Sequence, residues 1–206
     1  MAQRNADVSL QNAMRLGEVY QALAAGDPAA RADDTAPVSP ELRTAIANQA
    51  EHFDMLGLQL GFTYAAGALA GDSDAPAAAP SSVREYVPSA LPGSRLPHAW
   101  VLRDGRRVST LDLIAYDRFT LITGPAGQAW TTAAAGNLPI NQLTIGRDVI
   151  DDDGTWTTLL GIDPDGAMLV RPDQHVAWRS PHGVADPAAA LARASDRILD
   201  RAPLAA

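Results

Sequence analysis

The feature that most constrains the fold is the stretch 71–82 (GDSDAPAAAPSS), which divides the chain into two differently patterned parts. Its proline, alanine and serine cannot bury a core, so the composition predicts a linker. Residues 1–70 carry apolar side chains at helical spacing, whereas residues 83–206 alternate short apolar runs with turn residues. The sequence therefore predicts an N-terminal helical segment, a linker and a separate C-terminal domain.

Two helices are predicted in the N-terminal segment. The first ends at Gly26-Asp27-Pro28, and its apolar stripe follows the i, i+3, i+4, i+7 spacing through Leu16, Val19, Tyr20 and Leu23. The second begins with Ser39 as N-cap, Pro40 at the first helical position and Glu41 in the first turn, an arrangement typical of helix N-termini. Its stripe continues to Gly57 through Leu42, Ile46, Ala50 and Phe53.

The C-terminal domain is predicted to mix helices and strands. Two hairpins are indicated, one around Asp104-Gly105 and one that pairs residues 167–171 with residues 175–179. Between them and after them, the pattern predicts strands at Phe119–Thr123 and Asn141–Ile145, a helix at Gln128–Ala135 and a final helix that opens at Asp186-Pro187. This order of elements is that of a thioredoxin-like sheet. The predicted fold class is α/β, a cysteine-free thioredoxin-like domain preceded by an N-terminal helical extension.

The chain has no cysteine. This excludes disulfide frameworks, cysteine-ligated zinc, iron–sulfur clusters and cysteine nucleophiles. In a redox-active thioredoxin fold the reactive cysteines lie between the first core strand and its helix, which here is the sequence Gly124–Trp130. Without a thiolate the disulfide-exchange and peroxidase chemistries of that fold are excluded. The same turn lacks the Gly-Lys-Ser/Thr ending of a phosphate-binding loop.

The formal net charge of −8 argues against a nucleic-acid or anionic-membrane surface, which needs clustered positive charge. The longest uncharged apolar run, Met55–Ala70, is shorter than the ~20 residues that span a bilayer. The first residues lack the pattern of a signal peptide. We therefore expect no nucleic-acid partner, no membrane partner and a soluble cytoplasmic protein.

No catalytic residue and no metal site are predicted. The four histidines lack the spacing that places two imidazoles on one helical face. His98, at the start of a strand, and His175, in the second hairpin, are interpreted as structural side chains. The acidic run Asp151-Asp152-Asp153 lacks the glycine and glutamate positions of a calcium loop, so it is interpreted as a solvated turn.

Three segments carry a resemblance to a known family: residues 52–64 (HFDMLGLQLGFTY), 87–100 (VPSALPGSRLPHAW) and 166–179 (GAMLVRPDQHVAWR). They resemble, in order, the end of the substrate domain and the C-terminal domain of class A FAD-dependent aromatic-ring hydroxylases of the phenol and 2,4-dichlorophenol monooxygenase group. The resemblance implies that the C-terminal domain is thioredoxin-like, lacks redox cysteines and provides dimer contacts and packing against the catalytic part. It implies FAD- and NADPH-dependent hydroxylation of a phenolic or polycyclic aromatic by the complete enzyme.

The chain departs from this family because it contains no G-x-G-x-x-G sequence to bind the flavin pyrophosphate. Its Gly-Asp and Asp-Gly pairs also lack the context of the family's two other flavin-binding motifs. Flavin carries the oxygen chemistry in such enzymes, and the protein binds and orients it. We therefore expect no cofactor and no turnover in this chain alone. The expected role is structure, dimerisation or docking, with a second copy or a flavin-domain protein as partner.

An interface role is predicted for side chains around the segment Met55–Tyr64, because this segment exposes apolar area in a free fragment. The interface candidates are Phe53, Leu56, Leu58, Leu60, Phe62, Tyr64, Arg95, His98 and Trp100. An alternative function is a stand-alone thioredoxin-like binding module without redox activity. That alternative needs an enclosed pocket for a small aromatic ligand, lined by Trp100, Trp130 or Trp178.

Overall fold

The computed structural model of the protein describes residues 2–25, 38–71, 82–134 and 139–200. They form two compact units. The first, the helical unit, contains residues 2–25, 38–60 and 82–86. The second, the sheet unit, contains residues 61–71, 87–134 and 139–200. The predicted linker lies almost wholly outside the described residues, so the division into segments 1–70, 71–82 and 83–206 stays a prediction.

The helical unit consists of α1 (Ala2–Ala25), α2 (Pro40–Ala47), α3 (Ala50–Phe53) and α4 (Leu56–Leu60). The predicted start of the second helix is confirmed. The Ser39 hydroxyl oxygen accepts a hydrogen bond from the backbone N–H of Leu42 at 3.2 Å, and Pro40 is the first helical residue. The predicted end of the first helix at Gly26 lies outside the described residues.

The prediction of one continuous helix from Pro40 to Gly57 is wrong. The chain leaves the helix at Asn48-Gln49 and again at Asp54-Met55. The side chains of asparagine and aspartate compete with the backbone for hydrogen bonds, which weakens a helix interior. At the first break, the N–H of Gln49 bonds to the carbonyl of Ile46, three residues back, and this 3₁₀-type bond tightens the chain.

The predicted apolar stripe of α1 shares one face of the helix, but this face is not the buried one. Of its four residues only Val19 is partly covered, whereas Leu16, Tyr20 and Leu23 are exposed. The buried side chains are Val8 and Asn12, and Arg15 on the same face forms an ion pair with Glu51 of α3. Because this face contains polar residues, apolar spacing does not reveal it. No helix among the described residues is long and apolar enough to cross a membrane.

The sheet unit begins with a hairpin of β1 (Trp100–Arg103) and β2 (Arg106–Ser109). Asp104 and Gly105 both have positive φ, as the predicted two-residue turn requires. After a 3₁₀ helix (Thr110–Leu113), the remaining elements are β3 (Thr120–Thr123), α5 (Gln128–Ala134), β4 (Asn141–Thr144), α6 (Thr155–Leu160), β5 (Ala167–Val170), β6 (Val176–Ser180) and α7 (Pro187–Ile198).

The second sheet has the strand order β4-β3-β5-β6. The strands β3 and β4 are parallel, and β5 is antiparallel to both β3 and β6. Neighbouring strand residues point to opposite faces, so Leu121 and Leu169 pack under α5 and α7, whereas Ile122 and Met168 pack in the core that contains α6. The α/β class with an N-terminal helical extension is confirmed.

The helix α6 was not predicted, because its residues include three threonines, which favour strands over helices. The acidic run before it is more than a solvated turn. The half-buried carboxylate of Asp151 accepts hydrogen bonds from the backbone N–H groups of Trp156 (3.2 Å) and Thr157 (2.7 Å). It therefore satisfies two of the free donors at the start of α6.

Candidate interaction site

Two segments of the sheet unit run along the outer edge of β6. The N–H of Gly93 donates to the carbonyl of Val176 at 2.8 Å, and the N–H of Val176 donates to the carbonyl of Ser94 at 2.9 Å. The first of these segments contains Gly93 and Ser94. The second lies beyond it, where the N–H of Tyr64 donates to the carbonyl of Gly93 at 3.0 Å. Residues 62–64, called the strap below, are thereby tied to the sheet through backbone bonds.

The strap covers His175 with aromatic side chains. The ring centroid of His175 lies 5.3 Å from that of Phe62 and 4.9 Å from that of Tyr64. The guanidinium of Arg171 lies 5.3 Å from the centre of the Tyr64 ring, within the range of a cation–π contact. Two of the predicted interface residues are therefore largely engaged inside the sheet unit.

The surroundings of His175 are structural. Its Nδ1 lies 3.0 Å from the carbonyl oxygen of Asp173, so in the neutral ring the Nδ1–H donates there and Nε2 carries the lone pair. The Nε2 atom is buried and has no hydrogen-bond partner among the described residues. The ring is 6 % exposed and is covered by Phe62 and Tyr64 of its own unit, which agrees with the structural interpretation of this histidine.

Of the other candidates in the sheet unit, Arg95 is also engaged. Its guanidinium donates to the side-chain oxygen of Gln174 at 2.9 Å. In contrast, Trp100 is 49 % exposed, with the ring of His98 against its edge at 5.1 Å and the guanidinium of Arg107 over its face at 4.7 Å. The pair His98 and Trp100 is therefore a surface feature of the first hairpin.

The remaining candidates belong to the helical unit. Phe53 is 82 % exposed and Leu56 is exposed, whereas Leu58 and Leu60 are half-buried. Between them Gly57 is buried beneath residues 82–85, where an added Cβ would lie 2.2 Å from the carbonyl oxygen of Ser82. The nine candidates thus fall into three groups: α3–α4, the strap with Arg95, and the first hairpin.

Sequence reasoning missed two residues of the strap contact, Gly93 and Arg171. Gly93 has φ +92°, and an added Cβ would lie 2.1 Å from the carbonyl oxygen of Tyr64. The dipeptide Pro92-Gly93 is a turn signal that points to such a position. Nothing in the sequence spacing indicates that Arg171 reaches Tyr64, because the two residues are far apart along the chain.

The turn after β3, the position that the sequence analysis compared with the cysteine site of a thioredoxin fold, is closely packed against backbone. An added Cβ at Gly124 would lie 2.4 Å from the carbonyl oxygen of Pro164, and the N–H of Ala126 donates to that same oxygen at 2.8 Å. The turn is therefore packed against the loop before β5. This packing gives no support to a phosphate-binding function of the turn.

Two of the tryptophans considered for a ligand pocket contact each other. Trp130 is 1 % exposed, and its ring meets that of Trp178 edge to face with centroids 5.4 Å apart. Its indole N–H donates to the carbonyl of Asp165 at 2.7 Å. Trp100 lies in the other sheet. This filled core counts against a small-ligand pocket between the tryptophans.

The carboxyl groups whose pKa is lowered from its usual value lie in turns and not around His175. In the turn after β4, a hydrogen bond from Arg147 holds the pKa of Asp148 below its usual value, against the opposing effect of partial burial. The carboxylate also accepts from the backbone N–H of Thr144 at 2.7 Å. Among the described residues, no three His, Asp or Glu side chains lie close enough together to hold a metal ion.

We expect Asp148→Asn to lower the free energy of unfolding at pH 7 by about 0.5–1 kcal/mol, since half-exposed pairs are screened by solvent. A lowered pKa in the folded state means that the native carboxylate stabilises the fold above the unfolded pKa. That contribution disappears as the pH falls through the folded pKa. Urea unfolding of the wild type and of Asp148→Asn at pH 7 and pH 3 measures this contribution. If the difference between their free energies of unfolding grows on acidification, the prediction is contradicted.

Comparison with known proteins matches residues 89–202, more than half of the chain, to the family model described as "Aromatic-ring hydroxylase, C-terminal". Phenol 2-monooxygenase of Pseudomonas sp. (strain EST1001) is 38 % identical over 158 residues, which are 73 % of this chain and 26 % of that protein. The 2,4-dichlorophenol 6-monooxygenase of Delftia acidovorans is 33 % identical over 163 residues, 73 % of this chain and 28 % of that protein. The chain thus spans about a quarter of the length of these relatives.

A solved structure extends the likeness over nearly the whole chain. The flavin-dependent monooxygenase PieE, in complex with FAD and substrate, has a TM-score of 0.79 and 32 % identity, over 97 % of this chain and 38 % of that one. The resemblance noted in three sequence segments is therefore confirmed for the fold and the family. The chain belongs to the FAD-dependent aromatic-ring hydroxylases, and residues 89–202 are their C-terminal domain.

Proposed function

We propose that this chain is the non-catalytic C-terminal part of an FAD-dependent aromatic hydroxylase, and that it supports the flavin-bearing part without binding flavin itself. The observation that carries the proposal is the extent of the match. Nearly the whole chain corresponds to only 38 % of an FAD-bound monooxygenase. The larger remainder of that enzyme has no counterpart in these residues.

The sheet unit supports the proposal as a scaffold. Its strand order, with β3 and β4 parallel at one side and an antiparallel β5–β6 hairpin at the other, is the arrangement of a thioredoxin-like sheet. We therefore assign the sheet unit to that fold. The turn that would hold the thiols has no cysteine and is packed against the backbone of Pro164. Such a domain has packing surfaces but no redox group.

The chemistry of the complete enzyme follows from the family. A bound FAD would supply the oxygen activation, with NADPH as the electron donor. The relatives act on phenol and on 2,4-dichlorophenol, as their names state. We accordingly propose a phenolic or polycyclic aromatic as the substrate of the complete enzyme. The residues that select the ring belong to the flavin-bearing part in this proposal.

The test is to purify the chain, add excess FAD, remove unbound cofactor and record the absorbance at about 450 nm. We expect no retained flavin and no NADPH oxidation when phenol is added. The phenol 2-monooxygenase relative, treated in the same way, is the positive control. Retention of flavin by this chain in equal molar amount, or NADPH oxidation stimulated by phenol, would overturn the proposal.

A further inference from the structure

The hairpin of β1 and β2 turns one face to the core and the other outward. Val101 is 1 % exposed, and its cross-strand partner Val108 packs against the same core cluster. Because side chains alternate along a strand, Trp100 and Leu102 of β1 and Arg107 of β2 lie on the opposite face. The hairpin therefore has an outer face that combines apolar and basic side chains.

Two large apolar side chains of this outer face are exposed, Trp100 by 49 % and Ile150 by 45 %. Ile150 belongs to the face because it pairs with Leu102 through backbone hydrogen bonds of 2.9 Å and 2.8 Å. Ser109, the cross-strand partner of Trp100, has a small side chain, so the indole can be reached from the side of β2. The side chains of Trp100, Leu102, Arg107 and Ile150 are called the hairpin face.

The outer edge of β2 is open. Leu102 uses its backbone N–H and carbonyl to bond with Ile150, so it does not exchange hydrogen bonds with its cross-strand partner Arg107. In an antiparallel pair of this kind, the partner directs its own N–H and carbonyl away from the ladder. No backbone group of the described residues pairs with Arg107 on that side. The edge of β2 can therefore accept a further strand.

Three arginines of the hairpin have no acidic partner. Arg103 and Arg106 pair across the turn, Arg107 follows, and all three are exposed. None of them forms an ion pair with a carboxylate of the described residues, although acidic residues outnumber arginines 24 to 16 in the chain. Arg103 lowers the pKa of Asp148 through space, but the hydrogen bonds of that carboxylate come from Arg147 and from backbone. The arginines that do pair with an acidic side chain are Arg15, Arg84, Arg118, Arg147 and Arg171.

These observations point to an occupant that supplies carboxylates, an apolar side chain and a strand backbone. We propose that the hairpin face and the open edge of β2 bind an extended acidic segment of another protein, which adds to β2 as a strand. The backbone pairing provides affinity, and the arginines select for acidic residues. A second copy of β2 is disfavoured as the occupant, because it would bring arginines against arginines.

The register of β2 specifies the segment further. Arg106 and Arg107 are consecutive, so their side chains lie on opposite faces of the strand. An added strand therefore needs two consecutive acidic residues to meet both. Two positions after Arg107, Ser109 leaves room beside Trp100, and the segment is expected to carry an aromatic residue there. This pattern reads Glu-Glu-Val-Phe for a parallel strand and Phe-Val-Glu-Glu for an antiparallel one.

The test is calorimetric titration of the whole chain with two short peptides that contain these sequences. We expect saturable binding of at least one, about tenfold or more tighter than that of the same peptide with lysine in place of glutamate. Arg106→Gln with Arg107→Gln is expected to weaken the binding by about tenfold or more. The matched control is Arg193→Gln with Arg197→Gln, which removes the same charge from exposed positions of α7 and should leave the affinity unchanged.

A peptide with N-methyl groups on the backbone of both glutamates tests the strand pairing, and we expect it to bind about tenfold or more weakly. All four arginines are exposed, so the melting temperatures of both variants should remain close to that of the wild type. The proposal falls if neither acidic peptide binds more tightly than its lysine counterpart, or if the two double variants bind equally well. It also falls if N-methylation has no effect. A dimer of the chain that is abolished only by Arg106→Gln with Arg107→Gln would assign the surface to a second copy and overturn the proposal as well.

Discussion

Trp130→Ala is expected to lower the free energy of unfolding of the chain by about 3–5 kcal/mol, the usual cost of removing a fully buried large aromatic side chain. Trp130 is 1 % exposed in the core between α5, α7 and the sheet. The substitution removes its edge-to-face contact with Trp178 and the hydrogen bond from its indole to Asp165.

Urea unfolding followed by far-UV circular dichroism measures this effect independently of tryptophan fluorescence. The matched control is Trp100→Ala, in which the same side chain is removed from an exposed site. There we expect a loss of no more than about 1 kcal/mol, since the contacts that disappear, with His98 and Arg107, lie at the surface. Equal losses at the two positions would contradict the assignment of Trp130 to the core.

A melting experiment with added indole tests the small-ligand alternative. Because Trp130 and Trp178 fill the space between them, indole is not expected to raise the melting temperature of the wild-type chain. A rise in the melting temperature of the wild type that saturates with indole would favour a stand-alone aromatic-binding module. In Trp130→Ala, by contrast, the cavity left by the side chain can accept an apolar ring.

The elements with local signals were predictable from the sequence. Ser39-Pro40 and Asp186-Pro187 supply capping side chains and a fixed φ at the first helical position, and both helices begin there. The Asp104-Gly105 turn likewise depends on neighbouring residues only. For such elements the decisive physics lies within a few residues of the chain.

The errors arose where contacts of polar side chains, and not apolar spacing, decide the structure. The buried face of α1 contains Asn12 and Arg15, and Arg15 belongs there because Glu51 approaches from α3. The helix α6 forms from a threonine-rich sequence because the carboxylate of Asp151 satisfies its first N–H groups. Neither contact is visible in apolar spacing.

The candidate site shows the same limit. Apolar and aromatic content selected Phe62 and Tyr64, but the sequence does not reveal that both rings cover His175. Their role inside the sheet unit depends on the backbone pairing of Tyr64 with Gly93. Because the strap depends on this pairing, we expect it to be more sensitive to substitution of Gly93 than to substitution of either aromatic residue.

Gly93→Ala is expected to lower the free energy of unfolding by about 3–5 kcal/mol, which combines a disfavoured backbone conformation with a steric conflict. The glycine has φ +92°, and its Cβ would lie 2.1 Å from the carbonyl oxygen of Tyr64. This neighbour is backbone, so relief requires the strap to move away from the edge of the sheet. The hydrogen bond from the N–H of Tyr64 to Gly93 would then be lost.

Gly105→Ala separates the two contributions. Gly105 has φ +74° but no atom within 4 Å of an added Cβ, so alanine there meets only the backbone penalty of about 1–2 kcal/mol. Hydrogen exchange at the Tyr64 amide provides the local readout, and we expect faster exchange in Gly93→Ala but not in Gly105→Ala. Equal destabilisation by the two substitutions, with the Tyr64 amide still protected, would show that the strap does not depend on its close approach to Gly93. If the Tyr64 amide is released only in Gly93→Ala, the close approach at Gly93 is what holds the aromatic rings over His175.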